Sequence, residues 1–384
     1  MQNFEYQNPV KILFGRGQIA RIASEIPAGA RVLITYGGGS IRSNGVYDQV
    51  KTALAGWHVA EFGGIEPNPA YETLMRAVEK IRAEKLDFLL AVGGGSVLDG
   101  TKFIAAAVPF HGEPWDILAK GAPVESALPI GCVLTLPATG SEMNTFAVIS
   151  RQGTGDKLAF GSPLVYPRFS VLDPESTFTL PVRQTANGVV DAFAHVLEQY
   201  MTYDAAAPLQ DRMAEAILLT LIEEGPKVLA NPSDYDARAN IMWCATMALN
   251  GLIAVGVPQD WSTHMIGHEI TALHGLDHAQ TLAVVFPAAL AARRESKRAK
   301  LLQFAARVWG IREGDPDTRI DTAIARTRTF FESLGVPTRL SAYGIPADTA
   351  QVVAGRFEKR GWTGIGERGD VGPAKVEEIL ALCV

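Results

Sequence analysis

The chain has 384 residues, enough for two domains or one large one. Hydrophobic residues make up 47% and charged residues 20%, which excludes a disordered chain and allows a sizeable core. The formal net charge of −6 excludes the broad basic face that nucleic-acid binding normally requires.

No apolar run reaches the roughly 18 residues needed to cross a bilayer, so no membrane partner is expected. Cys132, Cys244 and Cys383 are widely spaced and form no CxxC pair, which speaks against a disulfide scaffold or a thiolate zinc site. The start, Met1-Gln2-Asn3-Phe4-Glu5, has no basic stretch followed by an apolar one, and the expected location is cytoplasmic.

The first half alternates strand and helix patterns. Residues 31–36 form a short apolar run that stops at Gly37-Gly38-Gly39-Ser40. Residues 71–85 carry Leu74, Ala77, Val78 and Ile81 at helical spacing. A second apolar run, 87–92, stops at Gly93-Gly94-Gly95-Ser96 and leads into an apolar helix over 101–108. Further runs at 130–137 and 170–174 complete the pattern of a parallel sheet with crossover helices. Beyond Leu180 the texture becomes helical, with helices expected over 184–200, 209–222, 237–254, 261–273, 297–308 and 320–334. The expected organisation is an α/β Rossmann-like nucleotide-binding domain over 1–179 and an all-α metal-binding domain over 180–384. No repeat of 20–50 residues occurs.

Two features carry chemistry. Glycine turns at strand ends let backbone approach a ligand, and the free N–H groups at the following helix start favour a phosphate. A plain tight turn is the alternative for one such motif. Two GGGS turns, with Thr139-Gly140-Ser141 at a third strand end, point to a dinucleotide crevice. The G-x-G-x-x-G fingerprint is absent, so the fold is Rossmann-like rather than a standard Rossmann unit. Histidines supply the second feature. Asp191 and His195 are spaced i,i+4 on one helix face, and His264 and His268 repeat that spacing. Imidazoles with one carboxylate suit Zn²⁺ or Fe²⁺. His268-Glu269 begins like H-E-x-x-H, but Ala272 stands where the second histidine belongs. No G-x-S-x-G follows a strand, which removes a serine hydrolase.

The order GGGSVLD, LPATGSE, VLDPE, D-x-x-x-H and H-x-x-x-H-x(9)-H resembles the iron-containing, group III alcohol dehydrogenase family over nearly the whole chain. Gly63-Gly64-Ile65-Glu66-Pro67-Asn68-Pro69, Pro258-Gln259-Asp260-Trp261 and His274-Gly275-Leu276-Asp277-His278 match its broad-specificity, NADPH-dependent aldehyde reductase branch, also called butanol-dehydrogenase-like. The resemblance implies the dehydroquinate-synthase-like fold of that family. It also implies a metal site of Asp191, His195, His264 and His278, with His268 beside nicotinamide and substrate rather than on the metal. It places the pyrophosphate loop at Gly94, Gly95 and Ser96, with Asp99 just inside the helix. Thr135, Thr139, Ser141 and Lys157 match further cofactor contacts. Departures from the family at Met143, Thr145 and Phe146 bear on substrate size.

Gly37, Gly38, Gly39 and Ser40 end their strand with no acid before Asp48. A carboxylate there would accept the ribose 2′-OH of NAD and repel a 2′-phosphate, so the expected cofactor is NADP(H). Zn²⁺ is the expected metal, with Fe²⁺ the alternative, because zinc generally binds such sites more tightly. The expected activity is aldehyde reduction on a small-molecule substrate by a homodimer. The alternatives are a lyase or cyclase of the same fold that uses NAD transiently, and a non-enzymatic nucleotide- or metal-binding protein.

Overall fold

The computed structural model describes the whole chain, Met1–Val384. Its contacts form two compact units: Gln7–Leu180 with Pro232–Thr246, and Met1–Tyr6 with Pro181–Asn231 and Met247–Val384. A single cut at 179/180 is thus modified at two segments. Met242 is buried in the hydrophobic cluster of the α/β unit, which is why Pro232–Thr246 groups there. Gln2 donates its backbone N–H to the Gly256 carbonyl, at 2.9 Å, within the helical unit.

The α/β unit is built on six parallel strands: β1 (Lys11–Phe14), β2 (Arg31–Thr35), β3 (His58–Phe62), β4 (Phe88–Gly94), β5 (Ile130–Leu136) and, after a hairpin, β8 (Phe169–Leu172). The hairpin consists of β6 (Phe146–Arg151) and β7 (Asp156–Gly161), paired antiparallel. The sheet order is β1-β8-β5-β4-β2-β3. Alternate residues face opposite sides. Leu33, Leu89 and Ala91 join one cluster with Leu74, Val78 and Phe103. Val32, Ile34, Leu90 and Val92 join another with Ile19, Ile22 and Val50. Burial on both faces explains why β2, β4 and β5 read as unbroken apolar runs.

Two crossover helices matter for the site: α1 (Tyr71–Glu84) and α2 (Gly95–Ala107). From β2 the chain moves outward to β3, while from β4 it moves to β5 and β8 on the other side. Such a reversal between neighbouring strands is a topological switch point, where open α/β sheets bind ligands at the carboxyl ends of the strands. The two GGGS turns follow the two strands that flank it.

The helical unit contains α3 (Val182–Tyr200) and α4 (Pro208–Ala230), and α5 (Tyr235–Ala248) comes next in the chain. Then come α6 (Ser262–His274), α7 (His278–Ala292), α8 (Arg298–Arg307), α9 (Pro316–Ser333), α10 (Thr349–Lys359) and α11 (Pro373–Ala381). The helix expected to reach residue 254 stops at Ala248, and Gly251 and Gly256 adopt positive φ beyond it. Helix α6 ends at Gly275 in the left-handed conformation. Helix α7 restarts at once behind an Asp277–Gln280 capping box. Ile266 and Ile270 turn one face of α6 into a hydrophobic cluster with Val284, Ala288 and Phe357. His264 and His268, offset by two residues, lie on the other face. No helix is long and apolar enough to cross a membrane.

Candidate metal centre and cofactor turns

Helix α3 presents Asp191 and His195 one turn apart, α6 presents His264, and the first residue of α7 is His278. One ligand atom from each of these four side chains lies within 4.8 Å of all the others. The Asp191 Oδ1 atom is 3.9 Å from His195 Nε2 and 3.8 Å from His278 Nε2, too far for hydrogen bonds. Asp191 Oδ1 is buried and accepts no hydrogen bond. A buried carboxylate oxygen in that state is costly unless something else meets it, and a divalent cation among the four donors would. The donor chemistry fits: three imidazoles and one carboxylate suit a first-row divalent metal. Side-chain exposure is 5% for Asp191 and His195, 8% for His264 and 23% for His278, so the cluster opens on the His278 side.

His268 stands outside this set. Its ring centroid is 5.2 Å from that of His278 and 6.4 Å from that of His264. The i,i+4 spacing on α6 therefore does not define a ligand pair. The chain reversal at Gly275 brings His278 into the cluster instead, and leaves His268 beside it. His274 is exposed and bonds Thr349 Oγ1 at 3.0 Å.

Sequence reasoning missed Glu198. It lies seven residues after Asp191 on α3 and is fully buried. Its Oε1 lies 2.9 Å from His264 Nδ1 and accepts the His264 backbone N–H at 3.0 Å. Burial, then the charge of Asp260, raises its carboxyl, while the His264 backbone N–H, Lys297 and Arg293 favour the carboxylate. Asp260 in turn is held by buried Arg293 at 2.5 Å and Lys297 at 2.8 Å; against burial, a hydrogen bond from Glu367 and then these two cations keep its carboxyl well below the usual range.

The two glycine turns differ in their surroundings. A Cβ on Gly95 would lie 2.5 Å from both Thr139 Cγ2 and Oγ1. Gly95 thus permits the strand–helix turn and the Thr139 turn to touch. Thr139 Oγ1 accepts the Ser141 N–H at 3.2 Å, and the Ser141 hydroxyl donates to Asp99 Oδ1 at 2.6 Å. Asp99 Oδ2 accepts the Val148 N–H at 2.9 Å. Burial raises the Asp99 carboxyl, with Lys102 pulling the other way. Asp99, Thr139 and Ser141 brace one another through these hydrogen bonds. Thr135 is buried near the end of β5. Lys157 donates to Asn68 Oδ1 at 2.8 Å, and the Asn68 N–H reaches Ser96 Oγ at 3.3 Å. Asn68, quoted in the family match without a role, ties Lys157 to the second glycine turn.

At the first turn, a Cβ on Gly38 would meet nothing within 4 Å. Arg42, on the helical turn that follows, donates to Tyr36 Oη at 2.8 Å and to Glu61 Oε2 at 2.9 Å. Tyr47 and Lys51 also bond Glu61, at 2.6 and 3.3 Å. No acid follows β2 in the chain before Asp48, but a carboxylate reaches this turn from the neighbouring strand. The β2–β3 register sets Ile34 beside Glu61, so β3 delivers a carboxylate that the chain order concealed. That carboxylate is already matched by two cations and a phenol. Phe146 is exposed at the start of β6.

A nucleotide-type sheet and a transition-metal donor set in one chain are what a metal-assisted dehydrogenase requires. The family model described as iron-containing alcohol dehydrogenase matches residues 9–174, and that of the Fe-containing alcohol dehydrogenase C-terminal region matches 185–367; the chain belongs to this family. It is 63% identical over 374 residues, 97% of each chain, to the NADPH-dependent aldehyde reductase YqhD of Escherichia coli K12. It is 44% identical over 369 residues, 95% of each chain, to the probable NADH-dependent butanol dehydrogenase 1 of Bacillus subtilis 168. The crystal structure of E. coli K-12 YqhD superposes with a TM-score of 0.98 at 60% identity, covering 100% of this chain and 99% of that one.

Proposed function

We propose that this chain is a broad-specificity, NADPH-dependent aldehyde reductase, interconverting aldehydes and primary alcohols and acting mainly in reduction. The observation that carries this reading is the 63% identity, over 97% of both chains, to the E. coli NADPH-dependent aldehyde reductase. The four converging donor atoms support it independently. A lyase or cyclase, or a non-enzymatic binding protein, loses ground because the relatives above are named as a reductase and a dehydrogenase.

Asp191, His195, His264 and His278 would hold one divalent cation, which supplies Lewis-acid polarisation of the substrate carbonyl. The family's description names iron. No comparison supports zinc as the main metal, so the proposal puts Fe²⁺ first, where relative binding strength had suggested Zn²⁺. Gly94, Gly95 and Ser96 would receive the cofactor pyrophosphate at the N-terminus of α2, and Gly37–Ser40 the 2′-phosphate. NADPH supplies the hydride. Lys157, held beside Ser96 by Asn68, adds a positive charge to the same region. His268, half-buried beside His278, would pass a proton from solvent to the product oxygen.

The test is the loss of NADPH absorbance with a simple aldehyde, using protein reconstituted in turn with Fe²⁺ and Zn²⁺ after elemental analysis. Absence of aldehyde-dependent NADPH oxidation with either metal overturns the reading. His268→Ala should keep its metal and lose rate about a hundredfold or more; loss of metal would return His268 to the ligand set. A cytoplasmic homodimer completes the proposal. The edge strands β1 and β3 offer backbone groups for pairing with a second copy, and sedimentation velocity checks the stoichiometry.

A further inference from the structure

The N-cap residue of helix α6, Trp261, makes no side-chain cap and adopts the left-handed conformation, with φ 61°, which is costly for a bulky residue. Asp260 Oδ1 accepts the Ser262 N–H at 2.9 Å, and the rest of the cap comes from another helix. Glu198 Oε2 accepts the Trp261 N–H at 3.1 Å, and Oε1 accepts the His264 N–H at 3.0 Å. The Glu198 backbone carbonyl accepts the Asp260 N–H at 2.9 Å. The same Oε1 lies 2.9 Å from His264 Nδ1. The indole held by this arrangement packs edge-on against the His264 ring at 5.0 Å between centroids.

From this geometry we infer that Glu198 is a positioning residue for the metal site: it fixes the tautomer and rotation of His264 so that Nε2 faces the other three donors. The inference rests on the metal-site reading above. Because Oε1 also accepts a backbone N–H, it meets Nδ1 as an acceptor and calls for Nδ1–H. A neutral imidazole protonated on Nδ1 carries its lone pair on Nε2. Rotation of the ring is stopped by the carboxylate at one edge and the indole at another. Glu198 also links two of the three ligand-bearing helices, α3 and α6, since Asp191, His195 and Glu198 all project from α3. A carboxylate that holds a ligand histidine typically changes metal affinity by about 10- to 100-fold when removed.

Glutamine cannot replace it. If the amide oxygen serves His264, the NH₂ group opposes the Trp261 N–H. If the amide is flipped, NH₂ opposes the His264 backbone N–H and favours the wrong tautomer.

The experiment uses the full chain, unmodified and as Glu198→Gln and Glu198→Asp. Nitrogen-15 NMR of the histidine rings in metal-free protein reads the His264 tautomer. Chelator competition with Co²⁺ reads affinity, and the Co²⁺ absorption bands read coordination geometry. The expected result is Nδ1–H at His264 in the unmodified chain and a mixed or reversed tautomer in Glu198→Gln. Co²⁺ should bind that variant about tenfold or more weakly, with altered bands. Glu198→Asp, which keeps the carboxylate, should recover part of both properties. A helix cap alone would lower the melting temperature and leave tautomer, bands and affinity unchanged; that outcome overturns the inference. His264→Ala is the control for the parent reading. If it retains full Co²⁺ affinity, the metal site itself is misassigned; if it loses Co²⁺ while Glu198→Gln keeps it, only the role of Glu198 fails.

Discussion

The tetrapeptide Gly-Gly-Gly-Ser occurs at the ends of both β2 and β4, yet the two copies have different reasons for their glycines. After β4 the glycines are squeezed. A Cβ would lie 2.6 Å from Val97 at Gly93, 2.9 Å from Leu136 at Gly94, and 2.5 Å from Thr139 at Gly95. After β2, a Cβ on Gly37 would lie 3.2 Å from the Ile65 carbonyl oxygen, but Gly38 and Gly39 have no neighbour within 4 Å of a built Cβ. In one motif the glycines are a packing requirement. In the other, the space beside Gly38 and Gly39 is what the proposed 2′-phosphate site would use. Identical sequence at two strand ends therefore does not imply identical tolerance to change.

The largest effect that would test this contrast is expected from Gly95→Ala. The added methyl must displace the Thr139 turn, on which Ser141 and Asp99 also depend. Overpacking of this kind costs about 1–3 kcal/mol. Thermal unfolding should show a lower melting temperature, and calorimetric titration should show weaker NADPH binding. Adding Thr139→Ala removes the two nearest contacts and leaves Thr139 Cβ at 3.1 Å, so it should restore stability in part. Unchanged stability and affinity in Gly95→Ala would remove the distinction between the turns.

A smaller effect is expected from Gly38→Asp. The site has space, so stability should hold, while the new carboxylate opposes a 2′-phosphate. The ratio of kcat/KM for NADPH over NADH should fall by about tenfold, or about 1.4 kcal/mol of transition-state preference. Comparable efficiency with both cofactors in the unmodified chain would leave this turn with no discriminating role.

The smallest effect belongs to Glu61→Gln. It frees Arg42 and Lys51 from an exposed ion pair, and such pairs are weak. The KM for NADPH should drop about two- to threefold at low salt, with that for NADH unmoved, and the gain should shrink as ionic strength rises. An equal change for both cofactors would place the Arg42–Glu61 pair away from the 2′-phosphate.

Legibility followed burial. Strands β2, β4, β5 and β8 were readable because both faces are buried and the apolar run is continuous. The edge strand β3 is only half-buried, with the pattern of His58, Val59, Ala60, Glu61 and Phe62 mixing polar and apolar positions, and it escaped notice. So did the hairpin β6–β7, which is built from short segments such as Asp156–Gly161. At the metal cluster, Asp191 and His195 were readable as a pair because a helix converts i,i+4 into one face. The choice between His268 and His278 was not readable from spacing, and only family resemblance anticipated it.

By itself the sequence determined the class of this protein: a parallel nucleotide-type sheet, a helical half, and one carboxylate with several imidazoles spaced for a divalent ion. Those properties are local, because apolar periodicity, glycine turns and one-turn spacing act between residues close in the chain. Tertiary structure alone decided what depends on distant segments meeting. It set Glu61 beside Arg42 through the β2–β3 register, Asp99 against Ser141 and Val148, and Asn68 between Lys157 and Ser96. It also turned the chain at Gly275 so that His278 joins the cluster, and placed Glu198 where it caps one ligand helix from another. None of these pairings has a signature in sequence spacing, because the free energy that selects them comes from packing the folded chain.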